Sequence, residues 1–116
     1  MKTLIIINDA PYGTEKAYNA LRLAMTLQRE LEAEIRLFLL ADAVGCALPG
    51  QKTADGYYNI ERMLKSVIRR GGRVKACGTC MDARGMAALE HIEGVEPATM
   101  KDLASWTQEC GRVLSF

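Results

Sequence analysis

The chain has 116 residues, of which 49% are apolar and 25% charged, so it is long enough to enclose a hydrophobic core as a single domain. With 15 basic and 14 acidic residues the formal charge is +1, which gives no electrostatic reason to expect nucleic acid or an anionic membrane as partner. Apolar runs such as "TLIII" and "LFLLA" are far too short to cross a bilayer.

The N-terminal run Thr3–Asn8 is β-branched and apolar, and is broken by Pro11 and Gly13. It lacks the long apolar region and small-residue cleavage site of a signal peptide and reads as a strand of the mature fold. A cytoplasmic setting follows, in which the cysteines Cys46, Cys77, Cys80 and Cys110 are not expected as structural disulfides. From Glu15 the period lengthens. Ala17, Ala20, Leu21, Ala24, Leu27 and Leu31 share one helical face, with Thr14 as the expected N-cap. Glu34–Leu40 predicts a second strand, its near-continuous apolar end suiting a sheet covered on both faces. Asp42 is placed to cap a short helical turn through Val44 and Cys46, stopped by Pro49 and Gly50. "PGQKTADGYYN" is aperiodic and predicts a loop. Ile60, Leu64, Val67 and Ile68 then mark a helix closed by "RRGG".

Arg73–Cys77 predicts a third strand, Ala83–His91 a short helix, and Gly94–Ala98 a short fourth strand or an extended connector. Thr99 is the N-cap candidate of a last helix, with Asp102 an imperfect capping-box partner and Met100, Leu103, Trp106 or Thr107, and Cys110 at helical spacing. Arg112–Phe116 predicts a closing edge strand. Alternating strands and helices with short links predict an α/β fold: a single-domain open parallel sheet of four to five strands flanked by helices, over residues 1–116. In such sheets reactive loops gather beyond the carboxyl ends of the strands. Asn8–Gly13, Asp42–Lys52 and Cys77–Gly85 should therefore share one rim, with Asn8, Asp9, Tyr12, Asp42 and Lys52 as candidates for shaping its mouth.

The stretch "KACGTCMDARG" carries the chemistry and admits several readings. A structural zinc site needs four ligands, usually from two knuckles. Only one CxxC is present, and Cys46, Cys110 and His91 form no second pair, so neither metal nor cofactor is expected. Cys110 reads as a core residue, and His91 as an ordinary residue near a helix C-terminus. A thioredoxin-like couple uses the same spacing, with one thiol of lowered pKa and a second able to resolve a mixed disulfide. A third reading is one nucleophilic cysteine that carries a sulfur atom. That chemistry needs a depressed thiol pKa, exposure and nearby donors, and Cys77, at the end of its strand, is placed for it, with Arg84 close in sequence. Simple packing of both thiols under a turn is a fourth.

The chain resembles the DsrE-like family, and within it the YchN-type branch. The pieces that carry the likeness are "NDAPYG" at 8–13, "LFLLADAV" at 37–44, "GYYNIERML" at 56–64, "VKACGTCMDARG" at 74–85, "EGVEPATMKDLASWT" at 93–107 and the terminal "RVLSF". The resemblance implies a compact parallel α/β fold, a cytoplasmic setting, and self-assembly into trimers or hexamers, with Tyr57, Tyr58, Met63 and Trp106 as candidate contributors to the contacts. It implies persulfide on Cys77, transferred to a small sulfur-acceptor protein. Cys80 matches the second cysteine of the branch and is a candidate resolving thiol, and Arg84 a candidate for stabilising the sulfur anion. The alternative class is a ligand-binding or structural homo-oligomer that makes no use of its thiols.

Overall fold

The computed structural model describes residues 1–116. Its five strands are β1 (Lys2–Ile7), β2 (Glu34–Leu39), β3 (Arg73–Cys77), β4 (Val95–Ala98) and β5 (Arg112–Ser115). Four α-helices accompany them: α1 (Lys16–Leu31), α2 (Ile60–Arg69), α3 (Gly78–Ala83) and α4 (Met100–Glu109). A 3-10 helix spans Ala41–Ala47. The strands form one sheet in the order β4-β3-β2-β1-β5, and every neighbouring pair is parallel. The near-continuous burial of Leu4, Ile5, Ile7, Ile35, Leu37, Phe38 and Leu39 has its cause here, because central strands covered on both faces have no solvent side to alternate with. Pro97 falls in β4, an edge strand, where its missing N–H leaves no ladder bond unmade. No helix is long and apolar enough to cross a membrane.

Chain direction across the sheet positions the site. Successive connections run from β1 out to β4, and the chain then returns to place β5 on the far side of β1. With right-handed crossovers the segments after β1, β2 and β3 lie on one face and α4 on the other. Contacts agree with this. Gln28 of α1 donates to the Val67 carbonyl of α2 (3.0 Å), and Ile92 N–H donates to the Ala47 carbonyl on that same side. On the opposite face Trp106 of α4 meets Phe38 edge-on with ring centroids 6.3 Å apart, and Lys75 Nζ lies 4.7 Å from its ring. Adjacent strands β3 and β4 therefore send their following segments to opposite faces, the position at the carboxyl ends where open parallel sheets of this kind bind ligands.

Most elements form where the local signals place them, with several displacements. The N-cap of α1 is Glu15, not Thr14, whose hydroxyl turns to Asp9 (3.0 Å). The apolar stripe of α1 stops short: Leu31 is 69% exposed, because the last turn overhangs the sheet, and Gln28 takes the buried place above Val67. Asn59 caps α2 by accepting from Arg62 N–H, and Gly71 in a left-handed conformation (φ 88°) ends it. The expected helix over Ala83–His91 is absent. The helix starts at Gly78 and stops at Ala83, because Gly85 adopts φ 69° and the Met86 and Gly85 amides return to the carbonyls of Met81 and Asp82. That pair of bonds is the usual glycine-terminated helix end. His91 consequently lies in the irregular segment beyond, its Nε2 3.1 Å from the Met86 carbonyl. The capping box of α4 is complete: Asp102 accepts from Thr99 N–H (2.8 Å) and donates its own N–H to the Thr99 hydroxyl (3.3 Å). Met100, expected on the inner face, is 64% exposed, and Leu103 and Trp106 carry the packing.

Candidate functional site

The rim formed by the carboxyl ends of β1, β2 and β3 brings the expected loops together in pairs. The first and second meet where Tyr12 hydroxyl donates to Gln51 Oε1 (2.7 Å). The second and third meet where Arg84 pairs with Asp42 (2.8 Å) and Ala41 N–H donates to Cys80 Sγ (3.3 Å). Not every candidate reaches the thiols. Asn8 Nδ2 is turned toward β5, donating to Ser115 Oγ and the Phe116 carbonyl, and Asp9 holds Thr14 and Lys16. Asp42 caps nothing; Leu40 occupies the N-cap of the 3-10 helix. Lys52 is exposed and makes no hydrogen bond or ion pair.

Gln51, its neighbour, is a residue that sequence reasoning misses, and it organises this loop. Its amide donates to the carbonyls of Cys46 (3.2 Å) and Leu48 (2.9 Å), and its Oε1 accepts from Tyr12 and from Glu61 N–H (3.2 Å). Glu61 in turn accepts from Gln51 N–H (2.9 Å) and pairs with Lys65 (2.8 Å), and those contacts hold its carboxyl below its ordinary value, the Lys65 bond foremost. A lone polar residue in an aperiodic loop carries no periodic signal that would flag it.

The cysteine pair follows capping geometry. Cys77 is the N-cap of α3, and its sulfur accepts from the N–H of Cys80 (3.3 Å), as a Ser or Asp oxygen does in that position. Counting from Gly78, Cys80 is the third helical residue, the place from which a side chain reaches back to the cap. The CxxC spacing thereby sets the two thiols against each other. The Thr79 hydroxyl adds a contact to Cys77 Sγ at 3.4 Å. Burial acts to raise the Cys77 thiol, but it is outweighed by hydrogen bonds from the Cys80 thiol, the Thr79 hydroxyl and the Cys80 and Thr79 backbone, which leave it below its ordinary value. Cys80 moves the other way. Burial and the proton shared with Cys77 push it up, against the pull of Ala41 N–H and the Arg84 charge. The pair therefore ionises first at Cys77, with Cys80 as donor.

The other cysteines are inert by comparison. Cys46, within the 3-10 helix, is fully buried, and desolvation pushes its thiol up to about 12. Cys110 caps the C-terminus of α4 and is 8% exposed, its thiol also raised by burial. Cys77 is itself only 8% exposed, whereas Cys80 is half-buried. The Arg84 guanidinium bonds Asp42 and the Cys80 carbonyl (3.0 Å), which anchors α3 to the 3-10 helix and places its charge beside Cys80. No three His, Cys, Asp or Glu side chains cluster in a way that could hold a metal ion. The largest surface cavity, about 460 Å³, lies away from the thiols, against Lys65, Ile68, Arg69, Glu93 and Gly94.

A model of the DsrE/DsrF-like family matches residues 1–116, the whole chain. The chain belongs to the DsrE/DsrF-like family. This DsrE/DsrF-like protein is 46% identical to Protein YchN of Escherichia coli (strain K12), an alignment covering 99% of this chain and 98% of that one. It is 45% identical to the uncharacterized protein MK0008 of Methanopyrus kandleri, over 97% of this chain and 91% of its relative. The crystal structure of the Escherichia coli ychN protein superposes with a TM-score of 0.91 at 44% identity, covering both chains fully. A protein of unknown function from Methanobacterium thermoautotrophicum, MTH1491, shares the fold at 15% identity (TM-score 0.79, covering 99% of this chain and 98% of that one).

Proposed function

We propose that the protein is a sulfur carrier, holding a persulfide on Cys77 and passing its outer sulfur to an acceptor thiol. The observation that carries the reading is the contrast among the four cysteines: only Cys77 is held below its ordinary pKa, by donors that converge on its sulfur at the carboxyl end of β3. Thiolate is the reacting form in sulfur transfer, so this selectivity decides which cysteine loads. Membership of the DsrE/DsrF-like family supports a general role in sulfur relay. No cavity encloses the pair, which suits a donor or acceptor that presents its own thiol at the rim, such as a small sulfur-acceptor protein. A reducing compartment such as the cytoplasm keeps both cysteines as free thiols.

Self-assembly into trimers or hexamers belongs to the same proposal. It is supported by exposed apolar surface on the edge strand β5, where Val113 and Leu114 are 41% and 37% exposed, and by Tyr57 at 54%. Trp106 takes no part in it, being 3% exposed within the chain. The carrier reading is tested by exposing reduced Cys80→Ser protein, in which no neighbouring thiol can displace the added sulfur, to a low-molecular-weight persulfide and weighing the intact chain. A single added sulfur on Cys77, removed by reductant and absent from Cys77→Ser, is expected. An adduct that persists in Cys77→Ser overturns the assignment.

A further inference from the structure

A carrier that only parks sulfur on Cys77 needs donors on Cys77. The structure commits another donor to the second sulfur: Ala41 N–H, from a different element, lies 3.3 Å from Cys80 Sγ. It does so from a backbone at φ 52°, a left-handed conformation that alanine adopts rarely and only at a cost. Arg84 bonds both the Cys80 carbonyl (3.0 Å) and Asp42 (2.8 Å), so the backbone that carries Cys80 is tied to the 3-10 helix. Both thiols are free.

We propose that the protein is also a persulfide reductase, in which Cys80 attacks the Cys77 persulfide and expels inorganic sulfide. The reaction rests on the carrier reading for its first step. There the Cys77 thiolate takes the outer sulfur of a persulfide donor, R–S–SH, and the donor leaves as the thiol R–SH. In the second step Cys80 Sγ bonds to Cys77 Sγ, the bond between Cys77 Sγ and the outer sulfur breaks, and the outer sulfur departs as hydrosulfide with the proton of the Cys80 thiol. The sulfane sulfur gains two electrons, and the two cysteine sulfurs supply them by becoming a disulfide. A dithiol reductant of small-molecule or protein type then restores both thiols by exchange. The bond from Cys80 N–H to Cys77 Sγ (3.3 Å) brings the two residues together at the start of α3, and the Ala41 amide, 3.3 Å from Cys80 Sγ, and the Arg84 charge favour the charge that Cys80 develops as its proton leaves.

The test is a single turnover without reductant, using glutathione persulfide, whose transfer to Cys77 releases glutathione rather than sulfide. Reduced wild type, Cys80→Ser, Cys80→Ala and Cys77→Ser are each mixed with one equivalent, and free sulfide and intact mass are read together. Wild type is expected to release stoichiometric sulfide and to end two hydrogens lighter, with a Cys77–Cys80 disulfide in the peptide map. Both Cys80 variants are expected to end one sulfur heavier, with sulfide at the level of Cys77→Ser. If the Cys80 variants load and wild type also keeps its added sulfur, the reductase is overturned and the carrier stands. The reductase is likewise overturned if the Cys80 variants release as much sulfide as wild type. If no form loads at Cys77, the carrier reading falls and the reductase with it.

Discussion

Replacing Thr79 by Val keeps the shape of the side chain and removes its hydroxyl from Cys77 Sγ, which it contacts at 3.4 Å. Hydrogen bonds to charged groups contribute about 1.5–3 kcal/mol, but Thr79 is exposed and water can partly replace its hydroxyl, so about 1 kcal/mol is the appropriate figure. At 1.36 kcal/mol for each tenfold, the thiolate population of Cys77 falls about fivefold at pH values below its pKa. The thiolate that remains is more basic and so more nucleophilic, with a Brønsted slope of about 0.4–0.5 in disulfide exchange. The two effects combine to a loss of roughly two- to threefold in rate at low pH and a gain of about twofold at high pH, where both proteins are fully ionised. The pH–rate profiles of wild type and variant should cross. The assay is exchange with an excess of a small disulfide, followed by intact mass, with Cys80→Ser as the shared background so that the mixed disulfide persists. Thr79→Ser should restore the original profile. A Thr79→Val profile that superposes on its parent, or a Thr79→Ser profile that matches Thr79→Val, would refute the reasoning.

Cys46, whose thiol is raised from 9.0 to about 12, should contribute to the loss of stability at alkaline pH. Its folded form keeps the proton that the unfolded chain loses, so its stabilising contribution is intact below pH 9 and declines from there to about pH 12. The loss is on the order of 4 kcal/mol at 1.36 kcal/mol per unit, and a Cys46→Ala variant should show a flatter dependence of urea midpoint on pH across that range; an unchanged slope would count against it. Gly72→Ala should destabilise the fold by about 1–3 kcal/mol, since the new Cβ would lie 2.5 Å from Val67 Cγ1 and 2.7 Å from the Val67 carbonyl oxygen; wild-type midpoints in urea would exclude the clash. Light scattering should give the mass of a trimer or hexamer at micromolar concentration, and a monomer there would remove the assembly proposal.

The sequence by itself determined the sheet and most of its helices. Near-continuous apolar runs such as "TLIII", buried at every position but Ile6, suit a parallel sheet covered on both faces, and the 3.6-residue stripe of α2 has few other solutions. It also singled out Cys77 and Cys80, because chemistry-bearing residue types at a fixed spacing survive any fold. Boundaries set by one residue's backbone were beyond it. Apolar spacing over Ala83–His91 was compatible with a helix, and only the left-handed conformation of Gly85 shows that the helix ends before it. Roles that depend on a partner distant in sequence were equally hidden. Gln51 acts through Tyr12 and Glu61, Asp42 meets Arg84 across 42 residues, and Cys80 receives its second donor from Ala41, 39 residues away. That Cys77 is the thiol to ionise was legible from its place at the end of a strand, because the donors that favour it, Thr79 and Cys80, are local; the second donor on Cys80 was a tertiary matter. The Ala41 N–H reaches Cys80 only when the segment after β2 and the helix after β3 have packed at one rim.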